Sequence, residues 1–330
     1  MLRLPWFDYR APRTVAEAAQ ILAGEGPQAM LIAGGTDLLP NMKRRHQTPK
    51  VLVSLKGIDG LKKVNGTLGA GLTLAELLRI EGLPTALRHA AAQVATPQLR
   101  NAGTLGGNLC LDTRCTYYNQ NYEWRQAIDF CLKKDGDTCW VATASKRCVA
   151  VSSTDTAPAL IALGASVVLV SSSGSREVKL EDLYRNDGIE YLSRKPDEVL
   201  TEVRIPSGWK STYWKLRRRG SFDFPILGVA IALKFSGNVI EEARVALGAA
   251  ASRPFLVEKA SEFLRNKTLT DEVIAEASAM IANRAKPLDN TDMDLYWRKE
   301  VADDFAGYAL RELRGDDMRA TRLRIARYAV

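Results

Sequence analysis

At 330 residues, with 46% hydrophobic and 25% charged side chains, the chain is long enough to bury a core and to divide into two or three globular units. Its formal charge of +8 and pI near 9.2 suit acidic partners, but no recognition-helix pattern or aromatic and basic RNA signature accompanies them, so nucleic-acid binding is not expected. Met1-Leu2-Arg3-Leu4-Pro5-Trp6 lacks the apolar stretch of a secretory signal and no window reaches the length of a membrane span, which predicts a cytoplasmic protein without a membrane segment.

Thr14 followed by Glu17 has the form of a capping box, and Val15, Ala18, Ala19 and Leu22 then share one helical face, which predicts a short helix. After a turn at Gly24 to Pro27, the apolar run Met30-Leu31-Ile32-Ala33 enters Gly34-Gly35-Thr36-Asp37, the pattern of a buried strand running into a tight glycine turn. Val51 to Leu55 reads as a second strand. Leu68-Gly69-Ala70-Gly71 reads as a turn into a helix over Thr73 to Arg79, capped by Thr73 and Glu76, and a further helix is expected over Leu83 to Val94.

Thr96 to Asn108 is rich in Gly, Thr and Asn with little apolar periodicity and is expected as an ordered loop. A helix from Thr154, with Pro158 near its first turn, ends at Gly164 and leads into the strand Ser166 to Val170. Between these two segments lie all five cysteines, so residues 110 to 152 read as an insertion. Beyond about Lys215, Gly228 to Phe235 and Val239 to Leu247 predict a hairpin around Gly237-Asn238, followed by helices near Phe255 to Leu264, Thr270 to Ala282 and Met293 to Leu313. The last third is therefore expected to be α+β.

Two glycine loops, Ala33 to Asp37 and Gly103 to Asn108, could let backbone N–H groups converge on an anion such as a pyrophosphate. Taken singly each could be an ordinary turn. Neither is a Walker A loop and neither matches G-x-G-x-x-G, which disfavours an ATPase or a dinucleotide-binding Rossmann site. From Cys115 onward the cysteines Cys131, Cys139 and Cys148 follow after 15, 7 and 8 intervening residues, unlike the paired spacing usual for zinc. Disulfides conflict with the cytoplasmic reading. A 4Fe-4S cluster and inert buried thiols both remain open on spacing alone. His46 and His89 make no catalytic pair, and no Ser-His-Asp or nucleophile-elbow pattern occurs, so no catalytic residue is expected in this chain.

AGGTDLL (Ala33 to Leu39), TPQLRNAGTLGGNL (Thr96 to Leu109) and STDTAPALIALGA (Ser153 to Ala165) resemble the three FAD-contacting segments of flavoprotein subunits in the xanthine dehydrogenase and carbon monoxide dehydrogenase family. The resemblance spans nearly the whole chain. It implies a two-part α/β FAD-binding domain of the vanillyl-alcohol-oxidase type over residues 1–215, divided at 57/58, and a smaller α+β domain over 216–330. It also implies FAD contacts from Gly34, Gly35, Thr36 and Asp37 at the diphosphate, with Leu31, Ile32, Ala33 and Leu38 beside them. Gly103, Thr104, Gly107 and Asn108 would form the second cradle, with Thr96 nearby. Asp155 would hold a polar part of FAD, and Leu200 and Lys215 match positions near the flavin ring, although a surface lysine beside Arg217 to Arg219 is an equal reading of Lys215.

Within that family, the segment LCLDTRCTYYNQNYEWRQAIDFCLKKDG followed by Cys139 and Cys148 resembles the insertion of the 4-hydroxybenzoyl-CoA reductases, which carries a 4Fe-4S cluster. This implies Cys115, Cys131, Cys139 and Cys148 as ligands, Cys110 as a spare, and Tyr117, Tyr118, Tyr122 and Trp124 as packing that shields the cluster. It further implies a large molybdenum-cofactor partner, a small partner with two 2Fe-2S clusters, and a dimer of heterotrimers. Electrons would come from a ferredoxin-like donor, drawn to the basic surface, and serve the reductive dehydroxylation of 4-hydroxybenzoyl-CoA to benzoyl-CoA. The alternatives are the medium subunit of another molybdenum hydroxylase, or an iron-sulfur redox-sensing module that has lost flavin.

Overall fold

The computed structural model describes residues 3–328, so Met1 and Leu2 of the N-terminal stretch read above lie outside it. Its first unit contains β1 (Asp8–Arg10), α1 (Val15–Glu25), β2 (Ala29–Ile32), α2 (Leu38–Lys43) and β3 (Val51–Ser54), with the three strands parallel in the order β1-β3-β2. Thr14 accepts from Glu17 N as expected, but the Glu17 carboxylate accepts from Arg13 N and so does not close a capping box. Ala18 and Leu22 of α1 pack on Val51 and Val53, which makes the small core of this unit.

The second unit holds β4 (Leu68–Gly69), α3 (Leu74–Leu77), α4 (Thr85–Ala92), α5 (Pro97–Arg100), α6 (Leu105–Leu109), α7 (Tyr122–Ala127), α8 (Thr156–Ala162), β5 (Ser166–Ser171), β6 (Gly174–Lys179) and β7 (Val199–Arg204). Its sheet has the order β4-β7-β5-β6 and is antiparallel throughout. Three local expectations are corrected here. Leu68-Gly69 is a strand rather than a plain turn, because its backbone pairs with β7. The helix capped by Thr73 stops at Leu77 instead of Arg79. Thr96 to Asn108 is not loop throughout: Thr96 and Thr104 each accept from the amide three residues on and nucleate the short helices α5 and α6. Helices of four and five residues leave no apolar period to read.

The last unit comprises β8 (Lys210–Leu216), β9 (Leu227–Ser236), β10 (Val239–Gly248), β11 (Phe255–Leu256), α9 (Glu258–Leu264), α10 (Asp271–Arg284), α11 (Leu295–Arg314) and α12 (Arg319–Tyr328). The hairpin around Gly237 forms as expected, with Gly237 at φ 61°. Phe255-Leu256, expected as the start of a helix, pairs instead with Leu247 and Ala246, and α12 was not anticipated because it has little apolar periodicity. β9 reads as an unbroken apolar run because both its faces are covered. Ala230 and Ala232 face the second unit, where α4 and α8 pack, while Val229, Ile231 and Leu233 face α9 to α11. Small residues on one face let two helices approach closely, and large ones fill the other, each buried aliphatic contributing about 1.5–3 kcal/mol. The whole is a two-part unit of helices and sheets followed by an α+β domain, as expected.

Candidate functional site

The two glycine loops lie back to back. A Cβ on Gly34 would stand 1.9 Å from the Ala102 carbonyl oxygen and 2.9 Å from Gly103 N, so only glycine permits this approach. The second loop is held from behind by the backbone of Ala70 to Leu74: Gly106 N donates to Ala70 O at 2.8 Å and Leu105 N to Leu72 O at 2.9 Å. Between the loops opens a cavity of about 1150 Å³, ample for a dinucleotide by the usual scale of ligand pockets.

Leu31, Ile32, Ala33, Gly34, Gly35, Thr36, Asp37, Leu38, Gly103, Thr104, Gly107, Asn108, Asp155 and Leu200 all line this cavity. Thr96 does not; it caps α5. Lys215 does not either, and it is not a surface lysine. It is 3% exposed behind Asp155, donating to Asp155 Oδ2 (3.0 Å), Gln93 O (2.9 Å) and Asp223 O (2.9 Å). Tyr213 OH donates to the other Asp155 oxygen at 2.9 Å. Burial pushes the Asp155 carboxyl up and the Lys215 ammonium down, and the ion pair between them draws each back toward its charged form. Asn108 joins the second loop to the third segment, its Oδ1 accepting from Thr154 Oγ1, Thr156 N and Thr156 Oγ1. Its Nδ2 is then the atom able to serve a bound ligand.

The side chain of Asp37, which lines the same cavity, is paired within the protein. Its carboxylate is bound by Arg114 and accepts from Asn41 Nδ2 at 3.1 Å. Arg114 also donates to Asn41 Oδ1 at 3.0 Å and lies over the Phe224 ring at 4.8 Å. Burial lowers its pKa to about 10, which leaves it charged at neutral pH. Cys110 is half-buried on the wall of the same cavity, its thiol pushed up by burial.

A second, much smaller cavity of about 10 Å³ is lined by Cys115, Cys131, Cys139 and Cys148, all buried, together with Tyr117, Tyr118 and Lys133. No carboxylate or imidazole shares it, so the donor set is all thiol, as soft metals and iron-sulfur clusters require. Burial pushes Cys115 up to about 11 and Cys148 up to about 12, and the neighbouring thiols push each of them the same way. Among the described residues no three His, Cys, Asp or Glu side chains are gathered closely enough for a single metal ion. Tyr122 and Trp124, expected as shielding, are about 40% exposed and stand outside the cavity.

Several residues at this second cavity had no signal that the sequence reading used. Lys133 Nζ donates to Asp112 Oδ1 (2.8 Å), Thr113 Oγ1 (2.5 Å) and Gly188 O (2.6 Å), and it sits 4.7 Å from the Tyr118 ring. A Cβ on Gly188 would stand 2.6 Å from Cys148 Sγ. Asn290 of the last unit ties both ends of the cysteine segment, accepting from Thr116 N and donating to Val149 O.

His46 stacks on Tyr118 at 4.2 Å and is far from any role shared with His89. Burial lowers its pKa from 6.5 to about 4. The unfolded chain binds this proton near pH 6.5 and the folded chain only near pH 4, so the stability is complete above the first value and declines as pH falls through the window. His89, also lowered to about 4, acts in the same window, so the informative comparison is between wild type and His46→Gln. In denaturant melts, the difference between neutral pH and about pH 4.5 is expected to shrink by about 2 kcal/mol in the variant. An unchanged difference would mean that His46 is not held neutral.

The sequence family described as the FAD binding domain in molybdopterin dehydrogenase matches residues 5–208, and the carbon monoxide dehydrogenase flavoprotein C-terminal domain matches residues 211–313. The chain is 33% identical over 305 residues to the aldehyde oxidoreductase FAD-binding subunit PaoB of Escherichia coli, covering 86% of this chain and 94% of that protein. It is 30% identical over 291 residues to the carbon monoxide dehydrogenase medium chain of Afipia carboxidovorans, covering 84% and 87%. Reconstituted carbon monoxide dehydrogenase from Oligotropha carboxidovorans matches its structure with a TM-score of 0.76 at 25% identity, over 94% of this chain and 99% of that one.

Proposed function

Given that the chain belongs to the FAD-binding subunits of the molybdopterin dehydrogenase family, we propose that it is an electron-transfer subunit carrying, beside FAD, a 4Fe-4S cluster on Cys115, Cys131, Cys139 and Cys148. The observation that carries this reading is the shared wall between the two cavities. Asp112 and Arg114 line the large one, and the next residue, Cys115, lines the small one. Two redox groups one residue apart along the chain suit electron exchange, and nothing in either cavity resembles a substrate-processing constellation.

The residues present fit the flavin. The Gly34 and Gly103 loops leave room for a diphosphate against backbone, Asn108 keeps a donor free, and Asp155, fixed by Lys215 and Tyr213, offers a buried carboxylate edge to the cavity. Bound FAD would supply a centre that exchanges electrons singly or in pairs. The chain's own tasks are to orient that group, exclude water from it and hold the four thiols in register.

The reaction we infer for the assembled enzyme is the dehydroxylation of 4-hydroxybenzoyl-CoA, in which two electrons and two protons replace the phenolic hydroxyl by hydrogen and release water. The cysteine insertion supports it. Under this reading a ferredoxin-like donor reduces the complex, and the substrate site belongs to a large molybdenum subunit, joined by a small subunit with two 2Fe-2S clusters in a dimer of heterotrimers in the cytoplasm. A second reading, oxidation of an aldehyde or a similar small substrate, is supported by the names of the relatives above. Anaerobic purification with co-expressed partners, followed by flavin, iron and sulfide analysis and by parallel assays, separates them. Turnover of 4-hydroxybenzoyl-CoA with a one-electron reductant supports the first; turnover of aldehydes alone supports the second. A flavin-loaded complex without iron on this chain sinks the cluster.

A further inference from the structure

Arg114 is the point at which the cysteine segment touches the dinucleotide cavity. Its backbone closes the neck of that segment, with Arg114 N donating to Val151 O at 2.8 Å and Val151 N donating to Arg114 O at 2.7 Å. Cys115 follows it directly, and Val151 lies three residues past Cys148. Its side chain, 6% exposed, reaches the other way, to Asp37 and Asn41 at the start and middle of α2 and to the face of Phe224 on the β8–β9 connection. One residue therefore fastens three parts of the cavity wall to the mouth of the cysteine pocket.

The electrostatics give this fastening a consequence. Asp37 ends the loop that faces the diphosphate, and a free carboxylate there would repel a dianionic ligand. Arg114 offsets that charge and, with Asn41, engages both carboxylate oxygens. That pairing is anchored at the neck formed by Arg114 and Val151, and Cys115 and Cys148, which line the cysteine pocket, lie one and three residues from the two sides of that neck.

We propose that Arg114 is a positioning residue that makes flavin binding and cluster binding mutually dependent, by tying the neck of the cysteine segment to the first glycine loop. The proposal rests on the cluster reading above. By linkage, the cluster tightens FAD by the same factor as FAD tightens the cluster.

The test is a fluorescence titration of FAD into the deflavinated full chain, with the cluster present and with it absent through replacement of all four cysteines by Ala. The wild-type Kd is expected to rise at least about fivefold when the cluster is removed, the lower end of ordinary coupling. In Arg114→Met the Kd is expected to be high already and to be the same with and without the cluster; Arg114→Lys, which keeps the charge without the two-pronged contact, should retain part of the dependence. A wild-type Kd that is equal in the iron-loaded and cluster-free chains overturns the linkage while leaving the cluster reading intact, and this comparison needs no Arg114 variant to fold. A dependence that persists in Arg114→Met also overturns it. A wild-type chain that never takes up iron overturns the cluster and the linkage together.

Discussion

Serine at Cys115, Cys131, Cys139 or Cys148 is expected to remove most of the iron and acid-labile sulfide from the purified chain, whereas serine at Cys110 should leave both near the wild-type level. A cubane needs all four thiolates, and a hydroxyl is a poor replacement ligand for iron in such a cluster. The four thiols share one buried cavity, and Cys110 faces the other one. Gly188→Ala sharpens the test, because it leaves every ligand in place. A Cβ there would meet Cys148 Sγ at 2.6 Å and the Ala150 backbone N at 2.9 Å, so cluster content should fall although no thiol is lost. Far-UV circular dichroism serves as the control for folding in each variant. Full iron in any one of the four serine variants, or its loss only with Cys110, would refute the ligand set.

Gly34→Ala is expected to cost the chain its FAD. The added carbon would lie 1.9 Å from a backbone carbonyl oxygen, and the neighbour cannot swing aside as a side chain could, because Ala102 and Gly103 are themselves bonded to Leu99. The two loops must part, and the diphosphate loses one wall of its cradle. We expect at least about a hundredfold weaker binding, equivalent to about 3 kcal/mol. Gly107→Ala should be milder, since its Cβ meets only Thr104 Oγ1 at 3.0 Å, and Gly24→Ala, with nothing within 4 Å, should be neutral. Flavin retained after desalting reads all three; retention in Gly34→Ala equal to that in Gly24→Ala would remove the loops from the site.

Both the site and its neighbours depend on parts of the chain that carry unequal amounts of information in linear order. The glycine loops, the hairpin at Gly237 and the caps at Thr14 and Thr73 were legible because backbone geometry there is set by a few adjacent residues: glycine opens φ or close approach, and a hydroxyl satisfies an amide two or three positions away. The clustering of cysteines within residues 110–152 was legible for a simpler reason, since a segment without apolar period and with many thiols has little else to pack around. Of the fourteen expected flavin residues that reach the cavity, eleven belong to three such local motifs, each brought in as a unit, while Leu31 and Ile32 come from β2 and Leu200 from β7.

What local pattern could not convey is which distant groups face one another. Lys215 reads as one more cation before Arg217 to Arg219, yet the pairing of β8 with β9 places it beneath Asp155, sixty residues earlier in the chain. Asp37 reads as a cradle residue, and only the fold turns it toward Arg114, across seventy-seven positions. Gly188 and Asn290 give no signal at all in sequence, because their roles come from contact with Cys148 and Val149 after three sheets have assembled. Short elements failed for a related reason: α5, α6, β4 and β11 are held by caps or by a partner strand rather than by an apolar period of their own. Local backbone chemistry thus specified the motifs, while burial and charge pairing between separate units decided which of their side chains face a ligand and which face each other.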